Sequence, residues 1–115
     1  LGSNPNPAWF YMQVGTSGNI DILIQQSSNG TTPDLDVDFI CYGPFTQPTC
    51  TGLGAANQVD CSYSIAPTET CNIPNAVFGM FYMICITNYS NQSGTISFSQ
   101  SNAGAPGAGS ITCDM

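Results

Sequence analysis

The chain contains no lysine, no arginine and no histidine, and its seven acids give a formal net charge of −7. Each absence removes a class of function. Without Lys or Arg nothing displaces counterions from phosphates, so nucleic-acid binding is excluded. Electrostatic attachment to anionic lipid is excluded on the same ground. Without His, Lys or Arg there is no Ser–His, Cys–His or Ser–Lys nucleophile system. Catalysis would have to rest on a carboxylate pair of the glycosidase kind, drawn from Asp34, Asp36, Asp38, Asp60 and Glu69. The expectation is therefore a protein that is not an enzyme. Lack of Lys and Arg leaves no tryptic site, which suits an extracellular, protease-rich setting. No apolar run is long enough to cross a membrane as a helix; the longest, near residues 77–86, is broken by Gly79. No signal peptide is visible. The sequence starts at Leu1 and runs off after Cys113-Asp114-Met115, as expected of a segment cut from a longer precursor.

What the chain does have is Ser, Thr, Asn, Gln and Gly for polarity, with plentiful aromatic and β-branched residues, so it is not disordered. At 115 residues it reads as one domain over residues 8–115, preceded by an extended Gly/Asn/Pro lead-in over residues 1–7. Residues 8–14 are aromatic and strand-like. Ile20, Ile22 and Ile24 alternate with Asp21, Leu23 and Gln25, which places the isoleucines on one face of a strand. Val37, Phe39 and Cys41 form the apolar face of the next strand, which Gly43-Pro44 is expected to end. Residues 46–58 read as a long irregular connection, residues 66–70 as a turn carrying Glu69, and residues 88–94 as a hairpin turn. Residues 80–87 are apolar on both faces, as in a central strand. About eight short strands with turn signals every 8–12 residues or so, and no helical period, predict an all-β antiparallel β-sandwich of Ig-like or jelly-roll type.

Three features carry candidate chemistry. Asp34, Asp36 and Asp38 stand at alternate positions leading into a strand, where they share a face and repel unless water or a cation meets them. They are the candidate ligands for a Ca²⁺ ion, although the Gly and distal Glu of an EF-hand are missing. No cofactor is otherwise required. Trp9, Tyr11, Tyr42, Tyr63, Tyr82 and Tyr89 are the candidate platform for a glycan, set against the ordinary role of strand aromatics in cores and cross-strand pairs. The six cysteines, Cys41, Cys50, Cys61, Cys71, Cys85 and Cys113, are even in number, have no histidine beside them and contain no Cys-x-x-Cys pair. Disulfides in an oxidising compartment are expected in preference to metal or thiol chemistry. Cys50 and Cys61 bracket one loop and are paired first. Cys41 ends one strand and Cys71 starts the next extended segment, so they are paired second, which leaves Cys85 and Cys113. Asn29, Asn88 and Asn91 match the N-glycosylation sequon, a pattern common by chance in so Asn/Ser-rich a chain.

Long motifs carry a family likeness. Pro5-Asn6-Pro7-Ala8-Trp9-Phe10-Tyr11-Met12, Gly18-Asn19-Ile20-Asp21-Ile22, Asp36-Val37-Asp38-Phe39-Ile40-Cys41-Tyr42-Gly43-Pro44-Phe45 and Asp60-Cys61-Ser62-Tyr63-Ser64 resemble a module of large secreted Bacteroidota proteins. Glu69, Ile73-Pro74-Asn75-Ala76, Gly79, Tyr82 and Ile86-Thr87-Asn88-Tyr89-Ser90 extend the likeness over nearly the whole chain. Such proteins often end in a gliding-motility-associated or type IX secretion sorting domain. More distantly, the Asp-x-Asp strand, the Glu and the Gly-x-x-Tyr strand are similar to pre-peptidase C-terminal β-sandwich domains. The resemblance implies a non-catalytic module of adhesin-like or filamentous surface proteins, with Asp36 and Asp38 as structural acids. Some pre-peptidase C-terminal relatives bind Ca²⁺ and some bind polymeric substrates. Family members carry a Cys just before the lead-in and an aliphatic residue at the place of Cys85, which leaves the pairing of Cys85 and Cys113 open. The expected function is a structural or adhesive subunit of a fibre, whose partners are copies of itself or neighbouring modules. The extended segment Leu1, Gly2, Ser3, Asn4 and Pro5 is a candidate donor strand. The alternative is a carbohydrate-binding module appended to a secreted enzyme.

Overall fold

Alternation sets the strands, and the computed structural model describes them over residues 7–62, 64–88 and 92–112. In β2 (Gly18–Ser27), Ile20, Ile22 and Ile24 are fully buried while Asp21, Leu23 and Gln25 are half-buried on the other face. The remaining strands are β1 (Pro7–Thr16), β3 (Val37–Phe45), β4 (Gln58–Ser62), β5 (Thr68–Ala76), β6 (Phe81–Asn88), β7 (Thr95–Gln100) and β8 (Ser110–Thr112). No α-helix occurs among the described residues; one 3-10 turn lies at Ala55–Asn57.

The strands form two antiparallel sheets, β4-β3-β6-β1-β8 and β5-β2-β7. Only β3 and β4 are neighbours in both sequence and sheet; every other connection crosses from one sheet to the other. The two inner faces share one core. Val14, Val37, Phe39, Cys41, Tyr82, Ile84 and Ile86 come from the five-stranded sheet, and Ile20, Ile22, Ile24, Cys71, Ile73 and Ala76 from the three-stranded one. Burying each large aliphatic or aromatic side chain contributes roughly 1.5–3 kcal/mol, the main term that opposes chain entropy. The all-β, two-layer architecture expected from the alternation is therefore present.

Three local expectations are corrected. Gly43-Pro44 does not end its strand: β3 runs on to Phe45, and the register with β6 shifts between Tyr42 and Phe45 to absorb the proline. Gly43 has φ +152°, and a Cβ there would stand 2.5 Å from Cδ2 of Tyr82, so the backbone lies directly on that ring. Residues 66–70 are not all turn, because β5 begins at Thr68 and places Glu69 opposite Ile24 on the inner side. The connection after β6 is not a hairpin, because β6 and β7 belong to different sheets. Hydrophobic pattern fixes which face of a strand is buried, but not which strand it pairs with.

Candidate interaction surface

With no cationic side chain available, each acid must find neutral donors. Asp34 finds Ser28, whose backbone N–H donates at 2.7 Å and whose hydroxyl donates to the second carboxylate oxygen. These bonds hold its pKa below the ordinary carboxylate value. Asp60 accepts from the N–H of Cys61 and, across to β5, from the N–H of Asn72, each at 2.8 Å. Glu69 accepts from the hydroxyl of Ser62, so β4 and β5 are laced together at the edge where the two sheets meet. Asp38 differs. It is 2% exposed, and its Oδ1 has no hydrogen-bond partner. Opposite it in register stands Thr87, fully buried, whose Oγ1 is also unpartnered. Burial, and then the charges of Asp36 and Glu69, push Asp38 up to about 6. Asp36 is raised by burial alone.

The sequence motif therefore separates in space. Asp34 is exposed and turned to Ser28, while Asp36 and Asp38 lie at the start of β3. Among the described residues no three metal-ligating side chains come together.

The cysteines fall into distinct environments, and the five described ones are free thiols in this structure. Cys41 and Cys71 are both fully buried on facing inner surfaces, one from each sheet, and the Cys41 thiol and burial push the Cys71 thiol well above the ordinary range. Cys61 and Cys85 flank Ile40 on the outer face of the five-stranded sheet, one on β4 and one on β6. Cys61 accepts from Nε2 of Gln58 at 3.2 Å. Cys50 is exposed in the loop after β3, in a hollow shared with Trp9, Leu53 and Met83. Neither expected pair, Cys50–Cys61 or Cys41–Cys71, is thus joined in this structure. Cys113, with Leu1, Gly2, Ser3, Asn4 and Pro5, lies outside the described residues.

The outer face of the five-stranded sheet is aromatic. Register places Trp9, Tyr11 and Gln13 of β1 beside Cys85, Met83 and Phe81 of β6. Trp9 is 47% exposed and stacks toward Tyr42 at 6.2 Å between ring centroids, while Tyr11 is 61% exposed and tilts onto Phe81 at 6.1 Å. A hollow of about 550 Å³ opens here, lined among others by Trp9, Tyr11, Gln13, Pro48 and Phe81. Of the aromatic set singled out from sequence, Trp9, Tyr11 and Tyr42 come together. Tyr82 instead points into the core, and Tyr63 and Tyr89 lie outside the described residues. Phe81 and Pro48 were not foreseeable, because their place follows from register and from a loop that folds back over the sheet.

The other notable surface is an edge. Among the described residues, β7 pairs with β2 and has no neighbour on its far side. Its inward residues Ile96 and Phe98 are incompletely covered: Ile96 is half-buried and Phe98 is 44% exposed, with the Phe10 ring packed edge-on against it at 4.9 Å. Among the described residues no charged side chain lies on this edge strand. All six described acids lie on β2, β3, β4, β5 and the β2–β3 connection, and none lies on β1, β6, β7 or β8. The signal was in the sequence, as the interval from Thr70 to Cys113 has no charged residue.

Comparison of the chain with protein-family models, with characterised proteins and with solved structures finds no match in any of the three.

Proposed function

We propose that the chain is a non-catalytic, extracellular structural or adhesive module, stapled by disulfides, that joins copies of itself edge to edge in a surface fibre. The observation that carries this reading is β7. A free strand edge presents main-chain donors and acceptors that template another strand, and soluble proteins usually protect such edges with charge, proline or bulges. The six residues Thr-Ile-Ser-Phe-Ser-Gln contain none of these protections except brevity. A second copy offers the same edge, and antiparallel pairing about a two-fold axis is self-complementary. It would extend the three-stranded sheet and cover Ile96 and Phe98. No described acid lies on β7 itself, and the nearest, Asp21, is one strand back on β2, so the repulsion between two chains of net charge −7 is spread over distance and weakened by salt. Placement outside the cell, and kinship with Bacteroidota surface modules, rest on the sequence resemblance and on the cation-free, cysteine-rich composition.

Light scattering across a concentration series tests assembly. Association should strengthen with salt, and Ser97→Lys should abolish it without lowering Tm, because Ser97 is exposed and points away from the core. A monodisperse monomer at high concentration and high salt would sink the idea.

A second reading, glycan binding, is favoured by the hollow beside Trp9 and Tyr11. Aromatic faces flanked by Gln13 and Thr112 suit the alternating apolar and hydroxyl surfaces of a sugar ring. Calorimetric titration with oligosaccharides tests it. Binding lost in Trp9→Ala at unchanged Tm supports it, and a glycan array without hits removes it.

A further inference from the structure

We propose that Cys41 and Cys71 close as the disulfide that joins the two sheets, and that this bond exchanges only when β5 lifts away from β3. The inference deepens the disulfide part of the reading above. It does not depend on assembly.

Cys41 lies within β3, in register with Ile84 of β6, and Cys71 lies within β5, in register with Ile22 of β2. The two side chains therefore project from different sheets into one core, and both are completely closed to solvent. Their thiols are unjoined but near enough for Cys41 to act on the ionisation of Cys71, so sealing them requires the two inner surfaces to bring the sulfurs together across the core. No other pair among the described cysteines is placed this way. Cys61 and Cys85 are held apart by the strand that carries Ile40 between them, and Cys50 is exposed in a loop.

The same burial controls the chemistry. Exchange needs a thiolate and a line of approach for the attacking sulfur. The Cys41 thiol, burial and the nearby carboxylates Asp60 and Asp21 raise the Cys71 pKa far above the ordinary thiol range, so the closed sandwich holds it protonated. Oxidation must then occur while β5 is still undocked. One thiolate attacks a small disulfide such as oxidised glutathione and expels one glutathione thiolate. The second cysteine thiolate attacks that mixed disulfide and expels the other. Two thiols become one disulfide, two protons are released on ionisation, and the two electrons reduce the glutathione disulfide to two thiols. After docking, the bond is out of reach of reductant. Free sulfhydryls at Cys50 and Cys61 remain open to exchange, because neither is fully buried.

The test uses the whole chain refolded in a glutathione redox buffer. Trypsin has no site, so peptic digestion at low pH, where exchange is slow, precedes mass spectrometry of the linked peptides. The expected species joins Cys41 to Cys71. Unfolding in reductant followed by refolding should lower Tm by on the order of 10 °C, as loss of a cross-link over this loop length implies. Under native conditions, reduction of this bond should level off as dithiothreitol is raised, because opening limits it. A folded, oxidised protein in which Cys41 or Cys71 is free or bonded to another cysteine overturns the assignment. Reduction that stays proportional to dithiothreitol, and as fast as for an exposed disulfide, overturns the gating. Neither readout needs a variant that might fail to fold. A chain that stays monomeric but carries the Cys41–Cys71 bond rejects assembly and leaves this inference standing.

Discussion

Replacing Asp38 by Asn removes one ionisable proton site from a place where charge is poorly accommodated. Asp38 is 2% exposed, its Oδ1 accepts no hydrogen bond, and the nearest strand partner offers Thr87 rather than a cation. Burial first, then Asp36 and Glu69, raise its pKa from 3.8 to about 6. The sign follows from linkage. A folded-state pKa above the unfolded one means that the folded chain binds the proton more tightly. Protonated Asp38 is therefore compatible with full stability below pH 4 or so, and that stability is lost as pH rises through about 6. A tenfold difference in proton affinity between folded and unfolded chains corresponds to about 1.4 kcal/mol. The rise at Asp38 would then be worth roughly 3 kcal/mol, and about 2 kcal/mol after solvent screening. At this chain length that is a Tm difference of roughly 6–10 °C.

Thermal melts followed by circular dichroism, on wild type and Asp38→Asn between pH 4 and 8, isolate the effect as a difference. The two proteins should melt together near pH 4, and the variant should gain through pH 5 and 6 and hold a constant advantage above pH 7. Asp34, whose depressed pKa contributes stability that is lost as pH falls below the ordinary carboxylate range, titrates identically in both proteins and cancels. A flat difference across the range, or a wild type more stable than the variant at pH 8, would refute the reasoning. Either result would mean that Asp38 has a partner that offsets its burial.

Thr87→Val, which removes a buried hydroxyl without a partner at nearly constant shape, should leave stability unchanged or raise it by up to about 1 kcal/mol in urea titrations; a loss above that would reveal a hydrogen bond to the hydroxyl. Gly43→Ala sets a Cβ 2.5 Å from the Tyr82 ring at φ +152° and should lower stability by roughly 2–4 kcal/mol; a neutral result would show that β3 can move off the ring. Phe39→Ala opens a void in the middle of the shared core and should cost about 3–5 kcal/mol; a cost under about 1 kcal/mol would mean the two sheets collapse onto the gap. Millimolar Ca²⁺ should leave Tm unchanged at pH 7, since Asp34 is committed to Ser28; a rise that Asp38→Asn abolishes would assign a cation to the start of β3.

The strands were legible because period-two alternation depends only on which side meets the core. Ile20, Ile22 and Ile24, and Val37, Phe39 and Cys41, are buried as their spacing predicts. Pairing was less legible. β6 is apolar on both faces because it is the middle strand of five and because a loop covers its outer side, and the sequence alone could not say that β1 and β3 would be its neighbours. Gly43-Pro44 misled for a related reason: a proline ends a strand only where the ladder needs its N–H, and here an irregular register spares that bond. The aromatic face was half legible, as Trp9 and Tyr11 alternate toward one side, whereas Phe81 and Pro48 reach it through long-range register and a loop. The Asp34, Asp36 and Asp38 motif looked like one group because strand geometry was extended back to Asp34. The strand begins at Val37, and the two residues of loop between them let Asp34 turn away.

Lack of cations explains more than the net charge. An acid beside an arginine can be placed almost anywhere on a surface, but an acid that must satisfy itself with N–H and hydroxyl groups has to sit where the backbone offers them. That condition puts Asp34 in the loop before β3, Asp60 and Glu69 along the β4–β5 boundary, and Asp21 against the Asn72 amide. The acids thereby double as the ties that fasten loops and close one side of the two-layer fold. The opposite side, from β1 and β6 to β7 and β8, is fastened by packing, ladder bonds and neutral amides such as Gln13 on the Gly79 carbonyl and Gln100 on the Gly109 carbonyl, and so its described residues are free to be uncharged. A chain made this way has one half that repels its copies and one that does not, which orients any contact between copies without a single complementary ion pair. Adding one charge to the uncharged half, as Ser97→Lys does, should therefore disturb association far more than removing one from the acidic half. Comparing Ser97→Lys with Asp21→Asn in the same scattering series would separate orientation by charge distribution from a mere dependence on net charge.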